Sequence, residues 1–263
     1  MNFVIELFTF FEYIKINLKS SFSQKGFFIS RIFFMIINNL IFFSSWYFFF
    51  KKFQVINGWS LKHISLMSGI VNISLGLNIC FFNGLKNMPT IIESGQLDIF
   101  LTLPRSVLIG IAASSSEYSG IGSVVSGLFL LYFSSFNNFF DIILIVFFIL
   151  ISMIIFSTTH IFYGSLSFWF KGLNRLNYDI SNILTLLATT PGCVYKGMIK
   201  TLIFSIIPIG FASYLPVEYF ITKDISIIPI IILGPCILLF ISIATFKVGL
   251  KKYESGNLPI NLN

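Results

Sequence analysis

Apolar and polar positions fall along this chain in long blocks. Residues 32–50, 64–85, 118–140, 142–170 and 225–246 contain no Asp, Glu, Lys or Arg. Each is long enough to cross a hydrocarbon core about 30 Å thick at about 1.5 Å of helical rise per residue. The runs do not alternate residue by residue as lipid-facing barrel strands do, so five transmembrane helices are predicted. A sixth comes from one of two weaker stretches, 180–195 and 201–217, which are separated by Lys196 and Lys200 and interrupted by Pro191 and Pro208. One of them is expected to span while the other forms a broken or re-entrant segment, which is tolerated only where protein or a watery cavity satisfies its backbone. The pattern predicts an all-α polytopic membrane protein with six transmembrane helices, in a single domain over residues 1–263.

Before the first span, residues 1–25 form an interfacial segment. Phe3, Leu7, Phe10, Phe11, Ile14 and Leu18 recur at helical spacing, and Glu6, Thr9, Glu12, Lys15 and Lys19 leave a polar side. Glu6 and Glu12 interrupt any apolar core that a cleavable signal peptide would need.

Composition agrees with a bilayer as solvent. The chain is 56% hydrophobic and 10% charged, with a mean hydropathy of +0.91, where a soluble domain has roughly a quarter of its residues charged. Orientation follows the basic residues. With the N-terminus in the cytoplasm, Lys15, Lys19, Lys25, Arg31, Lys86, Arg105, Lys171, Arg175, Lys247, Lys251 and Lys252 lie inside and Lys51, Lys52, Lys62 and Lys223 outside, eleven against four. Both termini are then cytoplasmic. The net charge of +7 is explained by topology and contact with anionic lipid, and calls for no nucleic acid.

Residues 112–127 are Ala, Ser or Gly at eleven of sixteen positions. Small side chains let helices approach closely in lipid, so this stretch is expected on an inner surface, with Ser116, Gly120 and Gly127 near one ridge. The Phe-rich stretches 42–50 and 129–140 are expected to face lipid. Asn38, Asn39, Asn72 and Asn78 are expected to tie helices together or to line a polar cavity. Cys80, Cys193 and Cys236 lack the close pairing of metal or redox sites and read as packing residues. His160 lies alone within a span, expected neutral and hydrogen-bonded to a neighbouring helix.

Catalytic chemistry is poorly provided for. The nearest approach to a phosphate-binding loop, residues 192–197, continues with Met198 where that motif needs lysine. The spans hold no cluster of His, Asp, Glu or Cys suited to acid–base or metal work. One feature exceeds what an inert membrane chain needs: residues 86–105 form a polar island between apolar runs, holding Lys86, Glu93, Asp98 and Arg105, bounded by Pro89 and Pro104 and broken at Ser94-Gly95.

Glu93-Ser94-Gly95-Gln96-Leu97-Asp98 followed by Leu101 and Pro104 resembles the SGELD…LLxRP signature of one branch of the type-2 ATP-binding-cassette permeases. Ser167-Phe168-Trp169, Pro191 with Tyr195, and the run from Ile207 to Pro216 resemble further elements of that family in the same order. Gln96, Thr190 and Leu103 depart from its usual residues. The resemblance implies a permease subunit of an exporter, with no cofactor of its own, that works with a separate ATPase subunit binding ATP and Mg and with a second permease chain, identical or related. It also implies that residues 86–105 couple to the ATPase: Ile91, Ile92, Leu97, Phe100 and Leu101 would supply apolar contact, Glu93, Asp98 and Arg105 would set register, and Gly95 and Pro104 would shape the turn. Pro208, Phe211, Tyr214 and Pro216 would belong to an external broken segment. A secondary transporter and a non-transporting membrane scaffold are the alternatives. The abundance of Phe, Ile, Asn and Lys over Ala fits an AT-rich bacterial genome, and so a bacterial inner membrane.

Overall fold

A computed structural model describes residues 3–21, 25–136 and 138–254. The helices are α1 (Phe3–Ser21), α2 (Lys25–Phe53), α3 (Leu61–Lys86), α4 (Met88–Glu93), α5 (Leu97–Leu101), α6 (Val107–Ala113), α7 (Ser119–Phe133), α8 (Phe139–Ser165), α9 (Asn174–Thr189), α10 (Gly197–Leu202), α11 (Tyr214–Thr222) and α12 (Ile227–Leu250). A two-residue antiparallel ladder, β1 (Val55–Ile56) with β2 (Trp59–Ser60), turns the chain from α2 into α3. Among the described residues, α2, α3, α8 and α12 are long and apolar enough to cross a membrane, and α7 is a shorter apolar helix.

The bundle is organised around α3, which is buried over most of its length. Its sequence explains this role. Ser65, Ser68, Gly69, Asn72, Ser74 and Gly76 interleave with Leu and Ile, giving neighbouring helices a narrow surface to approach. The most extensive helix pairing is with α7, where a Cβ on Gly76 would stand 2.5 Å from the Gly120 carbonyl oxygen and one on Gly127 2.9 Å from that of Gly69. Gly120 and Gly127 therefore share a ridge, whereas Ser116, expected on it too, lies in the break before α7. At its start α3 is capped by a reciprocal pair, the Ser60 amide donating to Nδ1 of His63 at 3.2 Å. Side-chain amides stitch further helices on: Asn39 donates to Ser126 Oγ at 2.8 Å and Asn78 to Ser157 Oγ at 2.7 Å.

Several boundaries differ from the sequence-based expectation. The small-residue stretch is not one helix, since residues 114–118 break between α6 and α7 and the Glu117 amide bonds to the Ile79 carbonyl instead. Helix α7, within the predicted third span, ends at Phe133, because Ser134 turns the chain and Ser135 takes a positive φ of 61°. Phe129, Tyr132, Phe133, Phe139 and Phe140 stand on the outer surface, but Phe50 is turned into the core. His160 is buried, and among the described residues its Nδ1 has no hydrogen-bond partner.

The 180–217 region divides into one helix that runs the length of the bundle and one broken segment. At the start of α9, Asn177 donates to the Lys86 carbonyl at 2.7 Å, at the far end of α3. Just after α9, Gly192 lies against the Trp59 and Tyr214 rings, at the near end of α3. The 16 residues of α9, rising about 24 Å, thus traverse the bundle. From Gly192 the chain dips back in and returns in steps along α8: Tyr163 donates to the Ile206 carbonyl at 2.7 Å, Ser152 to the Ala212 carbonyl at 2.7 Å, and Lys223 reaches Asp141 at 3.7 Å. Residues 201–217 are therefore a broken segment that re-enters the bundle without traversing it. Pro208 and the turns around it leave carbonyls without helical partners, and hydroxyls of α8 satisfy two of them.

Candidate functional site

The polar island folds as a helix–turn–helix connector at the Lys86 end of the bundle. Pro89 opens α4, and the chain reverses at Gly95, whose φ of 76° lies in the left-handed region open to glycine at little cost. The Gly95 carbonyl then accepts from the Asp98 amide at 3.2 Å and α5 begins. Met88, Ile91, Ile92 and Leu97 are buried beneath the connector in a cluster with Leu85, Ile111, Ala112, Ile161 and Phe246. Phe100 packs partly against the same cluster.

This geometry corrects the expected contact surface. Ile91, Ile92 and Leu97 face the chain's own core, because the connector needs its own hydrophobic seat to be ordered at all. The outward edge is formed by Gln96, Ile99, Leu101, Thr102 and Pro104, with Ile99 62% and Leu101 45% exposed. The expected register-setting charges are also engaged within the chain. Glu93 accepts from the Leu173 amide at 3.0 Å and from Asn174 Nδ2 at 3.2 Å. Arg105 lies 4.2 Å from the centre of the Tyr13 ring. Asp98 is half-buried at the first turn of α5.

Helix α1 braces the far end of the connector. Glu6 accepts from the Ser106 amide at 3.2 Å, Phe10 meets Phe82 at 5.5 Å between ring centroids, and Asn17 donates to the Ala113 carbonyl at 3.0 Å. The face of α1 turned to the bundle thus includes Glu6, Tyr13 and Asn17, and not apolar residues alone. Phe8, Phe11 and Ile16 are exposed.

At the opposite end, Tyr214 stacks on Trp59 with ring centroids 6.1 Å apart, and Lys200 sits 5.0 Å above the Tyr214 ring. Phe211 packs edge-on against Phe204 and close to Gly234 of α12. Pro208 opens the 3-10 turn Pro208–Phe211, and Pro216 is buried in the first turn of α11. Pro208 and Phe211 thus lie in the 3-10 turn and Tyr214 and Pro216 in α11, and of the four it is Tyr214 that stacks at the Trp59 end of α3.

Between the two ends runs a cleft of about 370 Å³ lined by α2, α3 and α9. Asn38, Asn39, Phe42 and Phe43 face Ser68 and Asn72, and α9 contributes Asn182, Thr185, Leu186 and Thr189. Among the described residues Lys86 is the one ionisable side chain lining the cleft, and it lies 4.6 Å from the centre of the Tyr178 ring. The α9 wall was missed by sequence reading, although Asn182, Thr185 and Thr189 recur at helical spacing and show which face is polar. No group of three or more His, Cys, Asp or Glu suited to a metal ion occurs among the described residues.

A family model described as ABC-2 family transporter protein matches residues 33–256 of the 263-residue chain. The chain belongs to the ABC-2 transporter family. The match takes in most of α2, all of α3 to α12 and the connector, and leaves α1 and the start of α2 before it. No curated protein and no solved structure matches the chain. As an ABC-2 family member the chain is a multi-pass membrane permease, a transport subunit of an ATP-binding-cassette transporter, and membership implies an ATP-binding-cassette ATPase as partner.

Proposed function

We propose that this chain is the membrane half of an exporter in a bacterial plasma membrane, with six crossings, both termini in the cytoplasm, and a second permease chain completing the path. The connector at residues 86–105 is the seat for the ATPase, with Ile99 and Leu101 entering a groove on that subunit and Gln96, Thr102 and Pro104 at the rim. One observation carries this assignment: two large apolar side chains, Ile99 and Leu101, stand exposed on a connector whose Met88, Ile91, Ile92 and Leu97 are seated inward. An apolar pair rimmed by polar groups has the makeup of a protein contact. Orientation is supported by charge. Lys86, Arg105, Lys171, Arg175, Lys247, Lys251 and Lys252 gather at the connector end.

The cleft between α2, α3 and α9 is the chain's share of the transport path. Amides and hydroxyls alternate there with Phe42, Phe43 and Leu186, and Lys86 brings a positive charge to it, so an amphiphilic cargo suits it better than a polycation. The test is co-purification. The chain expressed with the ATPase encoded beside it should form a complex that hydrolyses ATP, and Ile99→Asp with Leu101→Asp should release the ATPase from an intact membrane subunit. Retention of the ATPase by that double variant would sink the assignment.

A further inference from the structure

Glu93 is placed where its carboxylate serves α9. Its two oxygens accept from the Leu173 amide and from Asn174 Nδ2, the residues at which α9 begins. The first amides of a helix have no partner within it and carry the positive end of its dipole, so a carboxylate there is both a cap and a charge complement. Here the cap comes from a different element. Three more contacts reinforce the joint: Thr90 Oγ1 donates to Asn174 Oδ1 at 2.9 Å, Asn177 donates to the Lys86 carbonyl, and the Lys86 ammonium lies over Tyr178.

Helix α9 is also the cleft wall. Asn177, Ser181, Leu184 and Ala188 are buried against the bundle, while Asn182, Thr185, Leu186 and Thr189 line the cleft on another face. A displacement of its first turn therefore moves polar cleft atoms directly, with no flexible loop between.

We infer that Glu93 is a positioning residue that joins the connector to α9, so that the two move as one body and carry the push of the ATPase to the wall of the cleft. This rests on the permease assignment above. It differs from an ATPase-facing role for Glu93, in which the side chain would be read by the partner.

The test uses Thr185→Cys in a chain whose Cys80, Cys193 and Cys236 are replaced by Ala, purified with its ATPase. The rate of reaction with a polar maleimide is compared without nucleotide and after trapping with ATP and orthovanadate. A coupled cleft should change that rate about tenfold. Glu93→Ala should bring the ratio close to one while the complex still hydrolyses ATP. Glu93→Gln, whose amide oxygen still accepts from Leu173, should keep most of it. A Glu93→Ala chain with the parent ratio overturns the inference. If that variant does not fold, Thr90→Val with Asn174→Ala, two exposed positions, should at least halve the ratio, and an unchanged ratio overturns the inference equally. A parent complex with a ratio of one overturns the permease assignment itself, which is a distinguishable failure.

Discussion

Gly76 and Gly120 face each other across the seam between α3 and α7, so close that a methyl group on Gly76 would stand 2.5 Å from the Gly120 carbonyl oxygen. Backbone meets backbone there, and neither helix can retreat without losing the rest of the seam. Gly76→Val is expected to cost about 1–3 kcal/mol by overpacking, read as a lower midpoint in thermal unfolding of the detergent-purified protein. Gly26→Ala, at a position with nothing within 4 Å, should leave the midpoint near that of the parent. Equal effects at both sites would refute close approach at the seam.

The connector's two faces should respond differently. Ile91→Asp places a charge in a buried cluster and should reduce yield and monodispersity of the chain on its own. Ile99→Asp should leave the isolated chain well behaved and weaken capture of the ATPase by about tenfold, the loss typical of one apolar contact residue. Size-exclusion profiles and pull-down from one preparation separate the two.

The re-entrant segment depends on hydroxyls borrowed from α8. Tyr163→Phe leaves the Ile206 carbonyl, and Ser152→Ala the Ala212 carbonyl, without its side-chain donor, each at a cost of about 1–3 kcal/mol. The segment should loosen before the bundle does. Faster tryptic cleavage after Lys196 and Lys200 at temperatures where the rest stays folded is the expected sign, and unchanged cleavage would argue against these bonds.

Topology is open to direct labelling. With the native cysteines replaced, Lys51→Cys and Lys223→Cys should react with a membrane-impermeant maleimide on intact cells, whereas Gln96→Cys should react only after the membrane is opened. The reverse pattern would invert the orientation and remove the connector from the ATPase.

Much of this architecture is legible in the sequence, and the limits have physical causes. Helices α2, α3, α8 and α12 were evident because a charge-free run of that length has one comfortable place to be. The end of α7 at Phe133 was not, since Ser134 to Asn138 is as uncharged as what precedes it and the turn depends on backbone geometry at Ser135. Pro191 and Pro208 marked the 180–217 region as irregular, but which half crosses was set by tertiary partners, Lys86 at one end and Trp59 at the other. The connector was found from its polarity. Its facing was not, because Glu93 and Ile99 are each compatible with either side, and only the position of Leu173 decides that Glu93 turns inward.

The brace formed by α1 gives the lipid a say in the mechanism. Glu6 and Tyr13 hold Ser106 and Arg105, while Phe8, Phe11 and Ile16 lie open on the same short rod. In the proposed orientation that rod floats in the cytoplasmic leaflet, and its depth fixes the height of the connector's trailing end. Thinner or more anionic membranes, which draw the rod in or flatten it, should retune the resting tilt of the connector before any nucleotide binds, making leaflet composition a rheostat for the pump.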